Sequence, residues 1–171
     1  RPEYANPDRT LVISIAAGTP IRKIADLLHE PLDAAARKRM PVIRVMPNTP
    51  ALVLAGMSGM SPNADADASD IEMARKILSA MGEVRELPES LLDAVTGVSG
   101  SGPAYVFYLI EAMIEGGVRS GLNREDAAAL TLQTVKGAVR LMEERAEDPA
   151  DLRRKVTSPG GTTEAALRIL E

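Results

Sequence analysis

Leu11-Val12-Ile13-Ser14-Ile15-Ala16 is a short, nearly continuous apolar run that closes on Ala17-Gly18-Thr19-Pro20. A run of that length, bounded by turn residues, predicts a buried strand, then a turn, then a helix start. Helical spacing follows at Ile21, Ile24, Ala25 and Leu28. Val42-Ile43-Arg44-Val45 is a second short strand, ended by Met46-Pro47-Asn48-Thr49-Pro50, and a weaker strand is expected around residues 59–62. Residues 67–81 read as a helix with Ile71, Ala74, Ile77, Leu78 and Met81 on one face, stopped by Gly82. Glu83 to Leu87 alternates as a last strand. Strands alternating with helices imply an α/β half with a largely parallel sheet.

After Ser90 the period changes, and only long helical patterns with sharp glycine punctuation remain. The fold class is therefore α/β followed by all-α, with a boundary near Pro88 that gives domains 1–88 and 89–171. The helix expected over residues 102–120 is apolar on every face through Ala104-Tyr105-Val106-Phe107-Tyr108-Leu109-Ile110. A helix of that kind must be covered all round. The next, residues 124–144, is also broadly apolar. So small a domain cannot cover both, which predicts a helical homodimer interface, with a self-contained bundle as the alternative.

Composition narrows the function classes. The 171 residues are 45% apolar and 26% charged with net charge −4, so neither a nucleic-acid footprint nor a polybasic membrane patch is expected. No run approaches a membrane span and no secretory signal is visible, which makes the cytoplasm the default expectation. With no cysteine, disulfides, thiolate nucleophiles and cysteine metal sites are excluded. His29 is the single histidine, and it reads as a helix-end residue near carbonyls before it reads as a base. No metal site is expected. The opening Arg1 to Asp8 reads as a loop leaving an earlier element, so the chain is expected to be a piece of a longer protein.

Four segments carry candidate chemistry. Ala16-Ala17-Gly18-Thr19 and Met46-Pro47-Asn48-Thr49-Pro50 follow strands, where α/β sheets bind ligands. Thr96-Gly97-Val98-Ser99-Gly100-Ser101-Gly102-Pro103 reads as a loop whose small residues leave backbone bare for a flat ring, with Ser101 available to an amide. Val156 to Glu164 sets two glycines, a proline and four hydroxyls before an apolar-periodic helix, and free N–H groups at a helix start suit a carboxylate. Each segment taken alone is equally a tight structural turn.

These segments resemble the pyrroline-5-carboxylate reductase family over essentially the whole chain. The resemblance rests on Asp93 to Thr96 continuing through Gly100-Ser101-Gly102-Pro103-Ala104-Tyr105, on Glu115-Gly116-Gly117-Val118, and on Val156 to Thr163. Met46 to Pro50 and Ile15 to Gly18 agree as well. It implies the C-terminal half of a Rossmann-like nucleotide-binding domain plus a helical dimerisation domain, with dimers assembling further into rings. It also implies hydride transfer from NADPH or NADH to the C=N carbon of a cyclic imino acid. By the same likeness Ala17, Gly18 and Asn48 are expected cofactor contacts, and Ser101, Gly102 and Pro103 the surface against the nicotinamide end. Ser158, Gly160, Gly161, Thr162 and Thr163 become the substrate-carboxylate loop, and Glu89 an acid facing the substrate. Thr163 or Thr96 is the expected hydroxyl for proton transfer to the ring nitrogen.

Family members open with a strand followed by G-x-G-x-x-G, whose glycines seat the pyrophosphate on a helix N-terminus. That pattern is absent, because Gly97, Gly100 and Gly102 have other spacing and lie in the helical half. Cofactor binding by this chain itself is thereby in question, and an exposed sheet edge is expected. Arg153-Arg154-Lys155 reads either as a cation group for a cofactor phosphate or as a solvated helix face, and Glu143 to Asp148 as a solvated helix end. Two alternatives stay open: an inactive dimerisation or scaffold piece, and another NAD(P)-dependent dehydrogenase with a helical second domain.

Overall fold

The computed structural model describes residues 9–170; the expected loop at Arg1 to Asp8 lies outside them. The chain divides into two compact units, Arg1–Val106 and Phe107–Glu171.

The first unit is built on four strands, β1 (Val12–Ser14), β2 (Val42–Met46), β3 (Gly56–Pro62) and β4 (Gly82–Glu86), in that spatial order. β1 lies parallel to β2 and β3 parallel to β4, but β2 and β3 are antiparallel, with Met46 opposite Gly59. The largely parallel sheet expected from alternation is therefore corrected to a mixed one. Only residues 47–55 separate β2 from β3, and a parallel return needs a crossover of roughly a dozen residues or more. The two parallel pairs do have helical crossovers: α1 (Ile21–His29) with α2 (Ala34–Lys38), and α3 (Ala68–Ser79). α2 escaped the period count because five residues complete barely more than one turn. β1 is an edge strand, shorter than the apolar run that announced it.

Ile43, Val45 and Met60 of the sheet pack with Ala74 and Leu78 of α3 to form the core. Burying each large apolar side chain contributes about 1.5–3 kcal/mol. The expected stripe on α3 is rotated: Ala74 and Leu78 are buried, whereas Ile77 is 48% exposed. Asp70 takes the remaining inward position. It closes a capping box with Asp67 and pairs with Arg9, whose Nε donates to Asp70 Oδ1 at 3.0 Å. His29 ends α1 as expected, buried, with Nε2–H donating to the Met40 carbonyl at 2.9 Å. Strand β3 is longer than its composition suggested, since glycine and serine replace β-branched residues there. The reason is packing against α4 (Leu92–Val95): a Cβ on Gly59 would stand 2.9 Å from Val95 Cγ1 and 3.3 Å from Leu92 Cδ2.

α5 (Gly102–Arg119) leads into the second unit, which holds α6 (Arg124–Arg145), α7 (Pro149–Lys155) and α8 (Thr162–Leu170). No residue of α5 is buried within the single chain, and Phe107 and Tyr108 are 62% and 73% exposed. Asn123 caps α6 by accepting from the Asp126 N–H at 2.8 Å. Among the described residues, no helix is long and apolar enough to cross a membrane.

Candidate functional site

In the first unit, three segments gather at the carboxyl ends of β1 and β2. The turn after β1 is closed by the Thr19 N–H donating to the Ala16 carbonyl at 3.3 Å, with Gly18 at φ +68°. A residue with positive φ at that place in a four-residue turn is why glycine stands there. Ala17 and Gly18 are exposed, and a Cβ on Gly18 would meet nothing within 4 Å.

Asn48 is a clamp. Its Oδ1 accepts from the Met57 N–H at 2.9 Å, and its Nδ2 donates to the Ser99 carbonyl and hydroxyl at 3.3 and 3.2 Å. One amide thereby fixes the start of β3 and the segment around Ser99. Replacing Asn48 by Ala strands the Met57 N–H, at a cost of about 1–3 kcal/mol. Urea denaturation of the chain measures it; a midpoint unchanged from the parent would contradict the clamp.

The loop expected at Thr96 to Pro103 is instead wound helix, a π-turn over Thr96–Gly100 between α4 and α5. The Ser101 N–H donates to the Thr96 carbonyl at 2.8 Å, five residues back. The Thr96 hydroxyl is engaged too, donating to the Leu92 carbonyl at 2.9 Å. Gly100 sits against Met46, whose Cε would lie 2.5 Å from an added Cβ, while Gly97 and Gly102 face open space. Backbone at Gly18, Gly97 and Gly102 is thereby left bare. Ser101, Gly102 and Pro103 are half-exposed.

Glu89, expected to face the substrate, is committed within its own unit. Its Oε1 accepts from the Ile21 N–H at 2.6 Å and from Arg44 Nη1 at 3.2 Å. Arg44 is buried at 6% exposure and also lies 3.6 Å from Asp93. This pairing ties together the start of α1, strand β2 and the approach to the π-turn, the three supports of the segments just described. Arg44 was missed in the sequence, although one cation inside Val-Ile-Arg-Val-Met signals a buried charge that needs a partner.

The second unit carries the other candidate segment. The Gly161 N–H donates to the Ser158 carbonyl at 3.0 Å, closing a turn with Pro159 and Gly160 in its middle, and Gly160 has φ +72°. Proline then positive-φ glycine is the signature of a type II turn. α8 opens directly after it. The Thr162 and Thr163 amides head the helix with no intrachain acceptor among the described residues, as the first N–H groups of a helix must. Both threonines and Ser158 are exposed. The Gly160 N–H donates to Glu164 Oε2 at 2.7 Å. In the basic run before this turn, Arg154 pairs with Asp151 and Lys155 with Glu147. The Lys155 hydrogen bond holds the Glu147 carboxyl below the usual carboxylate range. Asp148 caps α7, accepting from the Ala150 N–H at 2.8 Å. Among the described residues, no group of three His, Cys, Asp or Glu is placed to hold a metal ion.

The family model for pyrroline-5-carboxylate reductase dimerisation matches residues 89–171. The pyrroline-5-carboxylate reductase of Synechocystis is 48% identical over 167 residues, 96% of this chain and 58% of that protein. That of Escherichia coli is 43% identical over 163 residues, 95% of this chain and 57% of its own length. The crystal structure of Plasmodium falciparum pyrroline carboxylate reductase with NADP bound superposes at a TM-score of 0.82 and 36% identity. It covers 94% of this chain and 61% of that one. The chain thus spans a little under three fifths of the length of the curated relatives it matches.

Proposed function

The chain belongs to the pyrroline-5-carboxylate reductase family, and from that membership we propose that its protein reduces the cyclic imine 1-pyrroline-5-carboxylate to L-proline with NADPH or NADH. The observation that carries this is the likeness, over 94% of the chain, to a reductase of that name with NADP bound. When bound, the reduced nicotinamide supplies the hydride, so the chain's own residues position two rings and manage charge and one proton.

The exposed Ala17-Gly18 turn and the Ser101-Gly102-Pro103 surface are assigned to the cofactor, and Asn48 serves it by fixing the segment around Ser99. The substrate carboxylate is assigned to the Ser158-Pro159-Gly160-Gly161 turn and the unengaged amides of Thr162 and Thr163. There the partial positive charge of the α8 N-terminus favours an anion without an arginine. Of the two candidate hydroxyls for proton transfer to the ring nitrogen, Thr163 is the stronger. Thr96 already donates to a backbone carbonyl, and Thr163 makes no such bond among the described residues. Glu89 is assigned a supporting role through Arg44 and Ile21.

We assign the dimerisation and substrate-binding region to residues 89–171, the extent of the family match, and the uncovered apolar surface of α5 to a homodimer interface. Assembly of dimers into rings and a cytoplasmic location belong to the same proposal. Imine-dependent oxidation of NADPH and NADH by the whole protein is the direct assay, and no activity with either rejects the function. Thr163→Ala should lower turnover about 10-fold or more. An unchanged rate would leave the role to the backbone amides.

A further inference from the structure

The turn assigned to the substrate carboxylate already holds a carboxylate of its own chain. Glu164 Oε2 accepts from the Gly160 N–H at 2.7 Å, in the middle of the turn, while Glu164 Oε1 lies 3.3 Å from Arg168 Nη2, one turn along α8. Two anions at one helix N-terminus repel. The end of a helix offers roughly half a positive charge, which a full carboxylate outweighs unless a cation offsets it. Arg168 is that cation, at the i,i+4 position where a glutamate and an arginine meet on a helix face.

We infer that Glu164 and Arg168 together set the affinity of this turn for the substrate's carboxylate: Glu164 shapes the turn while weakening anion binding, and Arg168 restores it. The inference rests on the reading above that the turn takes the substrate's acid group. Glu164 is half-buried and holds its backbone donor through one oxygen only. Glu164→Gln keeps a carbonyl acceptor for the Gly160 N–H and removes the charge, so the turn survives and only the repulsion is lost. Arg168→Gln does the reverse, leaving Glu164 uncompensated.

The test titrates the isotope-labelled protein with L-proline and follows the amide signals of Gly160, Thr162 and Thr163. Glu164→Gln should bind about 2- to 5-fold tighter than the parent, and Arg168→Gln weaker by about the same factor, the range expected of partly exposed charges. The spread between the two variants should collapse in about 1 M salt, where charges are screened beyond roughly 3 Å. A purely structural contact would show no such salt dependence. If Glu164→Gln binds no better than the parent while the Thr162 and Thr163 amides still respond, the charge pair has no such role and the carboxylate reading stands. If those amides respond in none of the three proteins, the carboxylate reading fails and takes this inference with it.

Discussion

Replacing Phe107 with Asp should convert a dimer of this protein to monomers, raising the dissociation constant by about 100-fold, as loss of a central aromatic contact does. Phe107 is 62% exposed in the single chain, and its neighbours Tyr105 and Tyr108 are 62% and 73% exposed. Aromatic rings at three of four successive positions lie open to water on a helix with no buried residue, and apolar exposure of that kind marks an interaction surface. A carboxylate there has no partner once a second chain covers it, and stranding a buried charge is costly. Because the side chain fills no intrachain core, the variant should retain its helical circular dichroism. Sedimentation velocity at matched concentrations is the measurement, and a variant that sediments as the parent does would remove α5 from the interface.

Gly82→Ala should be the most damaging single methyl group in the first unit, costing about 3 kcal/mol or more. Gly82 begins β4 at φ +143°, a conformation that side chains rarely adopt, and strain of that kind is worth about 1–3 kcal/mol. Sterics add to it: the new Cβ would stand 2.0 Å from the Gly56 carbonyl oxygen and 2.4 Å from the Gly56 nitrogen. Those atoms belong to the paired strand, Gly56 being opposite Gly82, so relief requires β3 and β4 to separate. Gly137→Ala in α6 is the natural contrast. Its Cβ meets nothing within 4 Å, and alanine in a helix gains about 0.5–1 kcal/mol over glycine. Urea unfolding of both variants decides it; a Gly82→Ala midpoint within error of the parent would mean that the β3–β4 pairing is looser than described.

The identity of the elements was legible because its causes are local. Apolar runs of four to six residues gave β1 and β2, helical spacing gave α1, α3, α5 and α6, and Gly82 marked the end of α3. The glycine-rich strings carried the family resemblance, since they repeat a chemical requirement for bare backbone that few proteins share. α7 shows the limit: Asp148 and Pro149 are ordinary helix-start signals, but seven residues give too little periodicity to stand out.

The sequence by itself determined the order of the strands and the longer helices, the change from α/β to all-α, and the turn chemistry of Pro159-Gly160. Tertiary structure decided the rest. It made the middle strand pair antiparallel, wound the glycine-rich segment at Thr96 into a π-turn, and gave Asn48 and Glu89 hydrogen-bond partners far along the chain. The division is physical. Period and turn preference act between neighbours along the chain, whereas Asn48 meets Ser99 across 51 positions and Glu89 meets Ile21 across 68, so their partners exist only once the sheet has folded.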